Sequence, residues 1–437
     1  MNIPDSPLPR VVIVGGGFGG VTLSRKLTKK KFQVVLIDRH NYHNFQPLMY
    51  QVATSGLEPD SIAFPLRGLN EKKNNFFFRM AEVESVEPVM NTLQTDKGEV
   101  KFDYLVIATG SRTNYFGNEQ IKEASLQMKT VPQALNIRSF MLQNLEKATL
   151  TNDPEEQKEL MRIVISGAGP TGVELSGAFA EFKKGVLPSD YPDLNPDFME
   201  IHLLDGEDRV LSSMSKKASQ KAEKYLKKLG VTLHLNTLVK NYEDLTISTN
   251  KDLELTAHTF IWSAGVTGNP LSGLKEGSID ERSQRFYVDH FNRVKDYDNI
   301  FAVGDIALMK TDDYPKGHPM VAQPAIQQGK LLVKNLERLE NGKDIKPFSY
   351  FDKGSMATIG RNKAVADVKG ITLGGFLAWF TWLVVHLYFL VGVRNRLVVF
   401  LNWIYNYFNF DRAARLIIRP FQKNDMSKKL KNSTNAT

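Results

Sequence analysis

Glycines at 15, 17 and 20 stand between an apolar run, RVVIV, and a helix-like one, VTLSRKL, and Asp38 closes the next apolar run, QVVLID. This is the residue set that a nucleotide pyrophosphate needs. Gly15 permits a tight turn, Gly17 lets a phosphate approach the backbone, and Gly20 lets the following helix lie close on its strand. The phosphates then meet the unpaired N–H groups of a helix N-terminus. A carboxylate at the next strand end can accept from ribose hydroxyls. The set returns at Gly167, Gly169 and Gly172, with Asp205 closing MEIHLLD. One such glycine pattern is a weak signal. Two of them, each in strand–turn–helix context with its acid, are a strong one.

Other residues add chemistry to this pair. Asp205 is followed by Glu207 and Asp208, a cluster that repels a ribose 2′-phosphate and favours NADH over NADPH. Arg209 works against that inference, because an Arg near this point can hold a 2′-phosphate. Gln323 and Gln327, in AQPAIQQG, are four apart and share a helix face, where their amides could bond one ligand. Pro324 suits the first helical position, so the spacing predicts a helix beginning there. The positive N-terminus of that helix would stabilise an anionic group placed against it. Glu174, in GPTGVE, is expected in the first turn of the second dinucleotide helix, where an acid is also simply favourable beside the helix N-terminus.

The elements that must position these residues read as two copies of one plan. RVVIVGGGFGGVTLSRKLTKK and MRIVISGAGPTGVELSGAFAEF are strand, turn and helix, and VKFDYLVIATGS and TFIWSAGV are later strands entering small-residue turns. The repeat is about 150 residues, the size of one domain. Residues 119–160 read as a charged helical connector. NIFAVGDIA is a strand ending at Gly304-Asp305. The fold class is therefore α/β, with two Rossmann-like dinucleotide-binding domains, the second inserted in the first, and a C-terminal helical region.

That region carries GGFLAWFTWLVVHLYFLVGV, residues 374–393, twenty residues without a charge. The length suffices for a membrane span. A single span, however, would carry the basic tail outward, against the positive-inside rule. Asp411 to Lys431 holds seven Lys/Arg and two Asp. A helix pair lying in the interface avoids the conflict, and Trp379, Trp382 and Trp403 would serve as its interfacial anchors. Spanning and burial in a dimer interface are the other two readings. Basic residues flanking apolar, aromatic segments point to a lipid surface and away from nucleic acid.

Composition excludes several classes. The chain has 437 residues, 42% hydrophobic and 24% charged, ordinary globular values. It contains no cysteine, which removes disulfides, thiolate metal sites, Cys-ligated clusters and thiol nucleophiles. No metal site is expected. MNIPDSPLPR lacks an apolar signal-peptide core, so synthesis in the cytoplasm without export is expected.

The order GGGFGG, IATGS, GAGPTG, WSAG, AVGD resembles that of the two-dinucleotide-binding-domain flavoproteins. HNFQPLMYQVATSG stands where the disulfide reductases of that group carry redox cysteines. Together with AQPAIQQG, it resembles the type II (non-proton-pumping, alternative) NADH:quinone oxidoreductases. The resemblance implies non-covalent FAD held by Gly15, Gly17, Phe18, Gly19, Gly20, Asp38, Arg39, Gln46, Val83, Thr109, Gly110, Asp305, Ala322 and Gln323. It implies NADH held by Gly167, Gly169, Pro170, Thr171, Gly172, Glu174, Asp205, Ala264 and Gly265, with Glu174, Gln323 and Gln327 at the chemistry. Glu174 would then lie beside the nicotinamide–flavin junction and help deliver protons to quinone. The implied partners are ubiquinone or menaquinone, the bilayer surface and a second copy of the chain, with peripheral, monotopic attachment to the cytoplasmic face of the cell membrane. The implied organisation is an FAD domain at 1–118 and 286–370, a connector at 119–160, an NADH domain at 161–285, membrane-attachment helices at 371–422 and a disordered tail at 423–437. Sulfide:quinone oxidoreductases share this plan but work through cysteines. A soluble NAD(P)H-dependent flavoprotein reductase would not need residues 371–420. An NADH-binding redox sensor is the non-enzymatic alternative.

Overall fold

The computed structural model describes residues 1–70, 73–409 and 414–422. The tail from 423 on, expected to be disordered, lies outside the described residues, as do five of the seven basic positions counted there. The described residues form two compact units. One comprises Met1–Asn44, Ala63–Arg112 and Val266–Asp352, and the other Phe45–Ile62, Thr113–Gly265 and the described residues from Lys353 onward.

The first unit is built on strands β1 (Arg10–Val14), β2 (Gln33–Asp38), β3 (Phe76–Met80), β4 (Tyr104–Ile107) and β9 (Ile300–Ala302). They form one parallel sheet in the order β9-β4-β1-β2-β3, with Val11 opposite Val34 and Tyr104. Their near-continuous apolar sequences follow from burial on both faces. Val12, Val35, Leu105 and Ile300 pack on one face. Val11, Ile13, Leu36 and Phe301 pack on the other, with Leu23 and Leu27 of helix α1 (Phe18–Leu27) and Leu332 and Leu336 of helix α5 (Ala322–Glu340). Helix α5 begins at Ala322, two residues before the expected start, so Pro324 is its third residue. The proline still costs the helix nothing there, because the first four N–H groups have no intrahelical acceptor.

The second unit repeats the sheet. Its parallel strands are β5 (Ile163–Ser166), β6 (Ile201–Leu204), β7 (Val231–His234) and β8 (Thr259–Trp262), in the order β8-β5-β6-β7. The short strand Leu126–Gln127 joins beyond β8, so the region read as a helical connector also supplies an edge strand. Its longest helix, α2 (Val131–Ala148), starts with a capping box in which Thr130 and Gln133 satisfy each other's backbone N–H groups. Helices α3 (Pro170–Gly185) and α4 (Lys216–Lys228) belong to the repeated plan. Beyond Lys353 come an antiparallel sheet, β10 (Ser355–Gly360), β11 (Lys363–Val368) and β12 (Ile371–Gly374), and helices α6 (Gly375–Phe389) and α7 (Val393–Asn409).

The uncharged run 374–393 is thus not one helix. It breaks after Phe389, and Gly392 has φ +92°. Fifteen residues rise about 22 Å, short of a bilayer core of about 30 Å. No helix among the described residues is long and apolar enough to cross a membrane. The tryptophans also depart from the expected anchoring role. Trp382 is 1% exposed, Trp379 packs beside Ala364 and Ala378, and Trp403 Nε1 donates to Gln51 Oε1 at 2.8 Å. The exposed face is carried instead by Phe376, Leu377, Phe380, Val384, Leu397 and Leu401.

Candidate active site: two glycine cradles and an enclosed carboxyl

In the first unit, Gly15 has φ +107°, and a Cβ there would collide with the Ala108 carbonyl. A Cβ on Gly20 would collide with Gly15, so the helix closes on its strand only with glycine at both positions. Gly17 caps α1 without any side-chain hydrogen bond, and a Cβ on it would meet nothing within 4 Å. The space beside Gly17 at the helix N-terminus is therefore open. Asp38 closes the cradle, accepting from Gly16 N at 2.6 Å and His40 N at 2.7 Å.

The remaining candidates of this unit lie around that frame. Phe18 meets His43 edge-on at 5.2 Å, and Gly19 lies against Val303. Thr109 Oγ1 donates to Asn269 O at 2.7 Å, and Gly110, at φ +69°, borders open space. Ser111 Oγ donates to Asp305 at 2.6 Å. Arg39 is solvent-facing, 3.9 Å from Glu82. Val83 opens the strand Val83–Glu87 and is half-buried. A helix N-terminus with open space beside it, a ribose-height acid and an acid just beyond the end of β9 fit the pyrophosphate and polyol of FAD. Sequence reasoning missed His43. It is 1% exposed and held by Gly16 O at 2.8 Å, and burial keeps its imidazole neutral by lowering its pKa.

The second cradle has the same construction. Gly167 has φ +105° and is backed by Ala264, and a Cβ on Gly172 would collide with Gly167. Gly169 caps α3 beside open space, followed by Pro170 and Thr171 as the first two helical residues. Asp205 accepts from Ala168 N and from Glu207 N, the latter at 2.8 Å. Gly265, at φ +79°, turns the chain after β8 against the Phe116 ring. Arg209 is committed to its own loop, donating to Ser212 O at 2.6 Å and Met214 O at 3.2 Å. It does not stand ready for a 2′-phosphate.

Glu174 is the fifth residue of α3, beyond the first turn where it was expected, so proximity to the helix N-terminus does not explain it. It lines a cavity of about 130 Å³ together with Tyr50, Gln51 and Thr54 of the cysteine-free stretch, Thr358 of β10, and Trp382 and Trp403 of the C-terminal helices. Burial pushes its carboxyl up to about 8, against the opposing pull of the Thr358 backbone and the Trp382 indole. The indole N–H faces the carboxyl but closes no hydrogen bond in this geometry, and no other described residue accepts it. Trp382 in turn stacks on His386 at 4.1 Å, and burial lowers His386 to about 4, keeping it neutral. Tyr50 and Thr358 were not singled out from the sequence, and Trp382 was singled out only as an interfacial anchor. Their roles depend on how α6 lies on β10 and α3, which no local pattern encodes.

Helix α5 separates its glutamines. Gln323 sits half-buried in the first turn beside Ala322. Gln327 spends its amide on Phe351, donating to the carbonyl at 2.9 Å and accepting from the N–H at 3.1 Å. Gln328, not anticipated, is 1% exposed and accepts from Gly304 N at 2.7 Å, holding the turn that carries Asp305. Gln46 is exposed at the start of a 3₁₀ turn, Gln46–Leu48, in the second unit.

The pyridine nucleotide-disulphide oxidoreductase family matches residues 9–329, and the NDH2 C-terminal domain matches residues 353–412. The type II NADH:quinone oxidoreductase NdhA of Mycobacterium tuberculosis is 34% identical over 410 residues, covering 90% of this chain and 86% of the relative. This chain belongs to the type II NADH:quinone oxidoreductases. The Ndh enzyme of the same organism is 35% identical over 93% of this chain and 90% of its own length. The structure of NDH2 from Plasmodium falciparum in complex with NADH superposes with a TM-score of 0.86 at 22% identity, covering 94% of this chain and all of that one, a likeness of fold. A sulfide:quinone oxidoreductase from Aquifex aeolicus shares the fold more loosely, at a TM-score of 0.70 and 20% identity. The type II family is FAD-dependent, in keeping with the first cradle.

Proposed function

We propose that this type II enzyme transfers two electrons from NADH to ubiquinone or menaquinone, with FAD in the first cradle and NADH at the second. FAD, when bound, supplies a two-electron relay between a hydride donor and a quinone. The observation that carries the reading is the stretch Tyr50–Gly56, which holds no redox cysteine and lines one cavity with Glu174 and the C-terminal helices. Without a disulfide to charge, electrons leave only to an acceptor that itself enters.

The chain's own groups bind, orient and protonate. The open N-termini at Gly17 and Gly169 take phosphates, and Asp38 and Asp205 take ribose hydroxyls. With Arg209 tied to its loop, Asp205 favours NADH. Glu174, which holds its proton to about pH 8, supplies one proton to the quinone oxygens. Gln323 offers its amide to a quinone carbonyl. Gln327 can do so only by releasing Phe351, so its share is indirect.

Attachment is monotopic, on the cytoplasmic face of the cell membrane, through the exposed apolar side chains of α6 and α7. Homodimerisation and the domain limits 1–118, 119–160, 161–285, 286–370 and 371–422 are carried over from the family resemblance. The deciding experiment is steady-state NADH oxidation by the purified, detergent-solubilised enzyme with and without a short-chain quinone. Turnover that ignores quinone rejects the reading. Removal of residues 371–437 is expected to release the protein from membranes.

A further inference from the structure

The second unit carries a charge pattern that the electron-transfer reading leaves unused. Helix α4, KKASQKAEKYLKK, holds six lysines and one glutamate. Its buried face is small and apolar: Ala218, Ser219, Ala222 and Leu226. Lys217, Lys221, Lys224 and Lys228 follow one another at spacings of four, three and four residues, so they form one stripe along the helix. All four are exposed. The single acid, Glu223, lies on the other flank, where it pairs with Lys227 at 2.7 Å. Among the described residues the four stripe lysines make no ion pair.

The stripe has a defined neighbour. The stem of Lys221 covers Gly374, the end of β12, and its Nζ lies 3.5 Å from Thr372 O in the same strand. The Tyr225 hydroxyl reaches Gly375, the first residue of α6. The lysine flank of α4 therefore adjoins the root of the apolar helix. There Ile371, Phe376, Leu377 and Phe380 are 52–65% exposed. Lysines without an ion pair, bordering exposed aromatic and aliphatic side chains, are the arrangement of a surface that inserts its apolar part and sets its cations at headgroup level.

We propose that the Lys217–Lys221–Lys224–Lys228 stripe binds the headgroups of anionic phospholipids, making this enzyme selective for negatively charged bilayers. The inference rests on the membrane attachment proposed above and adds charge selection to it. Apolar burial alone does not distinguish a neutral bilayer from an anionic one. Each lysine held near a charged surface strengthens binding about fivefold, and salt screens that increment while leaving apolar burial in place.

The test is co-sedimentation of the full-length, flavin-loaded enzyme with phosphatidylcholine vesicles, with and without phosphatidylglycerol. The wild type is expected to bind the anionic vesicles at least tenfold more tightly, and the excess should vanish at high salt. The quadruple variant Lys217→Gln, Lys221→Gln, Lys224→Gln, Lys228→Gln should lose that excess, retain binding to neutral vesicles, and keep its rate of flavin reduction by NADH. The corresponding quadruple Lys→Arg variant should keep the excess, which separates charge from any loss of folding. Equal wild-type affinity for both vesicles overturns the proposal, as does an undiminished preference in the glutamine variant. Tight binding of a DNA duplex, abolished in the glutamine variant while vesicle preference persists, would reassign the stripe to nucleic acid. Failure to bind any vesicle is a different result: it defeats the membrane attachment itself.

Discussion

Gly15, Gly17 and Gly20 in the first unit and Gly167, Gly169 and Gly172 in the second do the same three jobs in nearly the same geometry, down to φ values of +107° and +105° at the turn. Asp38 and Asp205 even spend their carboxylates alike, one oxygen on the glycine loop and one on the N–H two residues on. The difference lies behind the cradle. The fifth residue of α1 is Thr22, whose hydroxyl donates to its own helix at Phe18 O, and the back of α1 lies on α5. The fifth residue of α3 is Glu174, and the back of α3 lies on β10, so close that a side chain on Gly177 would strike the Ile359 carbonyl. The duplicated frame thus keeps its glycines and its acid in both copies, and the copy backed by the C-terminal sheet encloses a carboxyl where the other carries Thr22.

The sharpest way to break the pairing is to block both cradles identically. Gly17 and Gly169 border open space, so valine at either should leave the fold intact and obstruct only what binds there. Gly17→Val is expected to yield colourless protein that releases no FAD on denaturation and oxidises no NADH. Gly169→Val should stay yellow, while the NADH concentration for half-maximal flavin reduction rises roughly 10- to 100-fold, the loss of one or two charge-assisted hydrogen bonds. Equal flavin loss in both variants would show that the two cradles are not divided as proposed.

Glu174 sharpens the contrast through pH. Its folded pKa, about 8, lies above the ordinary carboxyl value of 4.5, so the native state holds the proton more tightly than the unfolded chain. The group's contribution is fully present below the unfolded pKa and is lost as pH rises through about 8. Between about pH 5 and pH 9 it should cost the wild type on the order of a few kcal/mol. Glu174→Gln, which cannot ionise, should remove that part of the slope in urea-unfolding midpoints. Thr22→Val should leave the slope unchanged. Quinone reoxidation of the reduced enzyme should fall above about pH 8 in the wild type, and an unaltered profile in Glu174→Gln would exclude it as proton donor.

How legible the two units were from sequence follows the same division. The cradles could be read because turn, close approach and strand-end acid each demand a residue type at a fixed spacing, and so the strands beside the glycine turns were legible, whereas β3, β7 and the edge strand Leu126–Gln127, which adjoin no such turn, were not read. Glu174 was visible as a residue but not as an enclosed one, because its surroundings come from residues 50–56, 358 and 382, distant in sequence. Trp382 was read as an interfacial anchor because an uncharged aromatic segment looks the same whichever side faces lipid. In α5, the spacing of Gln323 and Gln327 fixed a shared face but not its partner, and Gln328 was passed over although it is the buried one.

A smaller effect is expected at the second cradle's acid. Asp205→Ala should reduce the preference for NADH over NADPH in kcat/KM by roughly tenfold, a change of about 1.4 kcal/mol. Asp38→Ala should leave that ratio untouched while weakening FAD retention. Equal use of both nucleotides by the wild type would mean that Arg209 leaves Ser212 and Met214 when NADPH arrives.

The smallest predicted effects separate the two glutamines of α5. Gln323 stands in the first turn, and its amide is the one proposed to meet quinone. Gln323→Ala should leave flavin reduction by NADH near the wild-type rate and slow reoxidation by quinone about fivefold, the loss of a hydrogen bond worth about 1 kcal/mol. Gln327 holds both polar groups of Phe351. Gln327→Ala leaves that backbone to water, since Phe351 is 57% exposed, and should lower the unfolding midpoint slightly before it affects either half-reaction. Rapid mixing with NADH and then with quinone distinguishes the cases. If Gln327→Ala slows quinone reoxidation as much as Gln323→Ala with unchanged stability, its amide must release Phe351 to bind quinone directly. If both variants instead slow flavin reduction, α5 serves the nicotinamide side, and the Glu174 cavity becomes the route to examine for electron exit.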